Sequence, residues 1–186
     1  HESGSMLLFL PGVGEIQRVQ EQLSGRTGTD VILCPLYGAL PLSEQRKAIL
    51  PAPAGQRKVV LATNIAETSL TIEGIRLVVA TAQERVANYD PRTGLTKLLT
   101  QRTSQASMTQ RAGRAGRLEP GICLHLISAE QAERATAQTP PEILQSDLSV
   151  LVMELLKWVC PEPAQLTWLD TPPAVNLAAA RQLLTQ

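Results

Sequence analysis

Apolar residues fall into two alternating patterns along this chain: short, nearly unbroken runs, and longer stretches with an apolar residue at every third or fourth position. MLLFL (6–10) is of the first kind and reads as a strand buried on both faces. After it, Val13, Ile16, Val19 and Leu23 recur at helical spacing until Gly25, a residue suited to the position just past a helix end. VILCPL (31–36), KVVLAT (58–63), IRLVVAT (75–81) and GICLHLI (121–127) are further runs of the strand kind. Strands of this type alternating with helices predict an α/β fold, a parallel sheet flanked by helices.

Punctuation residues supply the rest. Ser43 is placed to cap a helix that Pro51 and Pro53 stop after Leu50. Residues 84–102 read as a β-hairpin turning at Pro91 and Gly94, and 105–117 as a helix. Ser128 and Gln131 have capping-box spacing. Two prolines in AQTPPEI (137–143) break the pattern, and beyond them 146–159 and 174–184 are helical. The expected organisation is one domain over 1–137 and a small helical segment over 138–186.

Composition narrows the chemistry. Lys+Arg and Asp+Glu are both 17, so a polyanion site has to be local rather than a global field. Aromatics at 3% argue against a base-stacking sheet. Cys34, Cys123 and Cys160 show no metal-ligand spacing and read as buried thiols in a reducing compartment. No apolar run approaches the ~20 residues of a membrane span, and there is no signal-peptide pattern, so a cytoplasmic location is expected. Residues 1–5 are expected to be mobile.

TQRAGRAGRLEP (109–120) is the anomaly. On a helix, Arg111, Arg114 and Arg117 would share one broad face across roughly 9 Å. Gly113 and Gly116 inside that helix would each cost roughly 1 kcal/mol. A solvated helix needs neither feature. Small residues admit a close neighbour, and the guanidinium fork suits phosphate oxygens, with Gln110 adding an amide alongside. A second polar stretch, from Thr63 and Asn64 through Glu67, Thr68, Ser69 and Thr71 to Glu73, follows the carboxyl end of a buried strand, where open α/β sheets place ligands. An ordinary turn closed by its own Asn and Thr side chains explains the composition equally well.

LLFLPGVGEI, LYGALPLSEQRKAI, KVVLATNIAETSLTIEGIRLVV, YDPRTGL and QRAGRAGR together resemble, in this order, the second RecA-like domain of the DEAH-box RNA helicases, and the chain as a whole resembles the bacterial HrpB type. The resemblance implies hydrolysis of ATP with Mg²⁺ in a cleft shared with a first RecA-like domain, coupled to 3′→5′ movement on single-stranded RNA. It implies that Gln110, Arg114 and Arg117 face the phosphates, with the arginines as fingers. Gly113 lies with them at the nucleotide, while Arg111 supports the helix or the polar stretch. Ser69 would sense the nucleotide state, Thr71 and Glu73 would lie near the ribose and attacking water, and Thr63 and Asn64 would touch the RNA backbone. The hairpin at Pro91 matches a wedge beside the RNA path, and PPEILQSDLS the entry to a winged-helix domain whose wing the chain does not reach.

Three positions depart from the family: Ala80 and Glu73 each replace an aspartate, and Val13–Gly14 lacks the usual Gln or acidic residue. Neither a G-x-x-x-x-G-K-[ST] phosphate loop nor an Asp-Glu-Ala-His segment occurs, so the chain alone is expected to hydrolyse no ATP. The alternative is a RecA-like module that lost catalysis and docks a partner protein. Retention of Gln110, Arg114 and Arg117 argues against it.

Overall fold

A computed structural model of the chain describes residues 4–68, 70–115, 117, 120–160 and 162–185. In chain order the first elements are β1 (Ser5–Phe9), α1 (Val13–Leu23), β2 (Val31–Leu36), α2 (Leu42–Ile49), β3 (Arg57–Ala62), α3 (Ile65–Thr68) and β4 (Ile75–Ala80). The ribbon β5 (Gln83–Asp90) and β6 (Leu95–Arg102) follows, then α4 (Gln105–Ala112), β7 (Ile122–His125), α5 (Ala129–Glu133), α6 (Ser149–Lys157) and α7 (Ala174–Leu184).

The MLLFL run becomes the centre of a five-stranded sheet ordered β2-β3-β1-β4-β7, with parallel pairing throughout. Leu7 stands opposite Val60 on one side and Val78 on the other. Because successive side chains leave opposite faces, Leu7 and Phe9 enter one core with Leu36, Val60, Ala48 of α2 and Ala66 of α3. Leu8 and Leu10 enter a second core with Ile16 and Val19 of α1. Burial on both faces is what made these strands read as unbroken apolar runs.

Four expectations change. Ser43 is not a cap: Pro41 precedes the helix, which begins at Leu42. Ser5 is not part of a loose terminus; it is buried at the start of β1, and its Oγ accepts from Lys58 N at 2.9 Å. Residues 1–3 lie outside the described residues. Of the cysteines only Cys34 is buried, with Cys123 and Cys160 half-buried. Finally, the helix expected over 105–117 ends at Ala112. Gly113 N–H still reaches Thr109 O, but Arg114 and Ala115 N–H reach back only three residues, to Arg111 O and Ala112 O. The last turn thus tightens and stops.

Gly121 explains why the chain is held there. A Cβ on it would lie 1.8 Å from Ala115 O and 2.7 Å from Arg76 O, so backbone meets backbone as the chain enters β7. Gly113 is therefore a helix-end residue, and the interior cost expected for it does not apply. Gly116 lies outside the described residues.

By contact density the described chain separates into two compact units, one running to Arg85 and including Thr100–Thr139, the other comprising Val86–Leu99 and the residues from Pro140 onward. The second has its own small core of Leu148, Val152 and Ala180, with α6 packed on α7. Within it Asn176 Nδ2 donates to Ser146 O at 3.1 Å, and Tyr89 N–H donates to Gln145 O at 2.9 Å.

Candidate functional site

Leaving the helix early splits the three arginines. Arg111, still on α4, is the largest fully buried side chain among the described residues, at 1% exposure. Its Nε donates to Glu67 Oε2 at 2.9 Å and its Nη1 to Gln83 O at 3.3 Å. Its Nη2 stands 3.9 Å from Glu84 Oε2, and the guanidinium carbon lies 4.9 Å from the Phe9 ring centroid. Glu67 is further held by Ser107 Oγ at 2.7 Å, and Glu84 by Gln101 Nε2 at 3.2 Å.

Arg114 and Arg117, freed from the helix, turn toward the polar stretch. Arg114 Nη1 donates to Leu70 O at 2.7 Å and its Nη2 to Glu67 O. Arg117 Nη1 donates to Thr71 Oγ1. Each nitrogen retains a further N–H. All three arginines thus grip one five-residue segment from α4 and the turn beyond it. That segment is not a plain loop: Ile65–Thr68 forms the single turn α3, with Glu67 N–H bonded to Asn64 O. Two of its side chains bond outward, Glu67 to Ser107 and Arg111 and Thr71 to Arg117.

Two concavities flank the arginine pair. One, of about 330 Å³, is lined by Glu67, Thr68, Gln110, Gly113, Arg114 and Arg117. The other, of about 400 Å³, is lined by Thr71, Glu73, Gly74, Arg76, Arg114 and Arg117 among others. The structure therefore brings together Gln110, Gly113, Arg114, Arg117, Thr71 and Glu73. Thr63 and Asn64 line neither concavity; they follow β3 directly, Thr63 half-buried and Asn64 exposed. Ser69 lies outside the described residues. Gly113 has ordinary helical dihedrals, and a Cβ there would come no nearer than 3.4 Å to Gln110 O, so nothing among the described residues demands glycine.

Burial pushes the Arg114 guanidinium below its ordinary pKa, and the adjacent Arg117 charge pushes it the same way. Among the described residues neither arginine forms an ion pair with a carboxylate. Ala80 is the strand partner of His125, whose Nδ1 is buried without a hydrogen-bond partner among the described residues.

Several residues outside the sequence reading matter to this framework. Lys58, almost wholly buried, donates from Nζ to Lys47 O, Ala48 O and Leu50 O, closing the end of α2. Arg85 lies against Gly12 at the start of α1 and pairs with Glu15 at 2.9 Å; a Cβ on Gly12 would stand 2.4 Å from its Nη1. No local pattern marks these contacts, because Lys58 sits in an apolar run and Arg85 in an alternating one.

Known proteins place this geometry in context. The family described as helicase conserved C-terminal domain matches residues 1–119. The ATP-dependent RNA helicase HrpB of Escherichia coli (strain K12) is 80% identical over 183 residues, which are 98% of this chain and 23% of that protein. The human probable ATP-dependent RNA helicase DHX34 is 38% identical over 182 residues, 96% of this chain and 16% of its own length. A crystal structure of the Escherichia coli DEAH/RHA helicase HrpB aligns with a TM-score of 0.93 at 79% identity, covering 99% of this chain and 24% of that one. The sheet is accordingly RecA-like, and the chain spans about a quarter of the length of that bacterial relative. With most of its length matched and its fold shared, this chain belongs to the helicase conserved C-terminal domain family.

Proposed function

We propose that this chain is the C-terminal RecA-like half of an ATP-dependent RNA helicase of the bacterial cytoplasm, moving 3′→5′ on single-stranded RNA. In this reading 1–137 is the second RecA-like domain and 138–186 the start of a winged-helix segment. One observation carries it: Arg114 and Arg117 stand side by side between two open concavities, with no carboxylate paired to either among the described residues. Two like charges so placed repel, and a polyanion between them turns that cost into attraction.

The donor set of two guanidinium forks, the Gln110 amide and the Thr71 hydroxyl fits a nucleoside triphosphate. Such a ligand, with Mg²⁺, supplies a phosphoanhydride for hydrolysis; the resemblance assigns the metal to the first RecA-like domain, the partner across the cleft. This chain's own work is positioning and charge. Arg114 and Arg117 donate to phosphate oxygens as negative charge builds, and Gln110 fixes their orientation. Gly113 leaves room for the phosphates, and Thr71 and Glu73 face the ribose and the attacking water. Ser69 responds to the nucleotide state, while Thr63 and Asn64 hold the RNA backbone at the carboxyl end of β3.

In the full-length protein, Arg114→Ala or Arg117→Ala lowers kcat for ATP hydrolysis at least ~10²-fold, with a smaller change in nucleotide affinity. Near wild-type turnover in either variant refutes the finger assignment. Direction is read separately, from unwinding of duplexes carrying a 3′ or a 5′ single-stranded tail.

A further inference from the structure

Arg111 faces neither concavity, yet it touches three separate parts of the chain. Through Glu67 it holds α3, which begins next to Thr63 and Asn64 and whose Glu67 carbonyl anchors Arg114. Through Gln83 O and Glu84 it holds the base of the β5–β6 ribbon, and through Phe9 it rests on the central strand. The two carboxylates are not equivalent: Glu67 is hydrogen-bonded at 2.9 Å, whereas Glu84 stands off at 3.9 Å and leans on Gln101 from the opposite strand of the ribbon.

Stability alone is a weak reason for such a cluster, because a buried ion triad is often matched or bettered by apolar side chains of similar volume. A guanidinium shared unequally between two carboxylates on different segments has a second use. A shift of the ribbon base toward Arg111 would trade one ion pair against the other, and α3 would move with the change. Because α3 joins the proposed RNA contacts to the proposed fingers, any such movement reaches both.

We infer that Arg111, held between Glu67 and Glu84, is a positioning residue that ties the base of the β5–β6 ribbon to the finger segment, so that RNA engagement accelerates ATP hydrolysis. The inference rests on the helicase reading above. It makes Glu84, which contacts no ligand in that reading, a determinant of RNA stimulation.

The test uses the full-length protein carrying Glu84→Gln, which keeps the side chain's size and its bond to Gln101 but removes the charge facing Arg111. ATP turnover is measured with and without single-stranded RNA, together with nucleotide KM and the melting temperature. RNA-stimulated kcat is expected to fall about 10-fold, within the range of site-to-site coupling, while RNA-free turnover and KM stay within about two-fold. Gln101→Leu, which loosens Glu84 without altering charge, should move the same quantity in the same direction and serves if the first variant does not fold. Turnover lost equally with and without RNA, or unchanged in both, overturns the inference. Arg114→Ala in parallel separates the two claims: if it leaves turnover intact, the finger reading fails. If it abolishes turnover while Glu84→Gln keeps full RNA stimulation, only the coupling role fails.

Discussion

Replacing Arg111 with methionine probes the interior most directly. Methionine fills much of the same space, so the loss is electrostatic rather than a cavity. Glu67 and Glu84, with side chains only 14% and 7% exposed, would be left without their cation. Removing one partner of a buried pair costs about 3–5 kcal/mol. Ser107 and Gln101 still hold one carboxylate each, which favours the lower end, about 3–4 kcal/mol, including the lost contact over Phe9. In a chain of this size each kcal/mol lowers the melting temperature by about 2–4 °C, so the sheet unit should melt roughly 6–16 °C lower. Far-UV circular dichroism follows that transition. Trp158 and Trp168 both lie in the second unit, so their fluorescence serves as an internal control. The triple variant Arg111→Met, Glu67→Gln, Glu84→Gln should regain most of the loss, because no buried charge then lacks a partner. A drop below about 1 kcal/mol for Arg111→Met would show that the carboxylates are solvated or neutral without it, and would refute the reasoning.

Gly121→Ala, whose Cβ would meet Ala115 O at 1.8 Å, should destabilise the chain by at least ~2 kcal/mol in urea unfolding. Gly113→Ala should leave stability unchanged or raise it by up to ~1 kcal/mol, yet raise nucleotide KM in the full-length protein; an unchanged KM removes Gly113 from the nucleotide site. Burial, then the Arg111 charge, hold His125 below its ordinary pKa. The unfolded chain therefore takes up that proton first, and stability falls as pH drops below about 6.5. His125→Gln should flatten that part of the urea-midpoint profile, and an unaltered slope would contradict the assignment. The isolated chain should show no RNA-stimulated ATP hydrolysis above a no-protein control, since no phosphate loop lies within it.

The strands and most helices were legible because their signals are local. An unbroken apolar run reports burial on two faces, and a recurrence every third or fourth residue reports one buried helical face. The Ser128 cap is of the same sort, its Oγ accepting from Gln131 N–H three residues on at 3.2 Å. The candidate site was legible for another reason: three arginines spaced three apart among small residues suit no solvated helix, and the chain indeed leaves the helix at Ala112, before Arg114 and Arg117.

What sequence spacing misread was the path of the chain through those arginines. Periodicity extends a helix until something stops it, and here the stop is Gly121 in backbone contact with Ala115, a contact set by how the chain re-enters the sheet. The sequence by itself determined the α/β pattern, the polar segment after the third strand, and the run of three arginines beyond the ribbon. Only the tertiary structure decided that Arg111 is buried while Arg114 and Arg117 line two open concavities. Its partner Glu67 lies 44 residues away, and the energy of a buried charge depends on what folding brings beside it, which no run of neighbouring residues encodes.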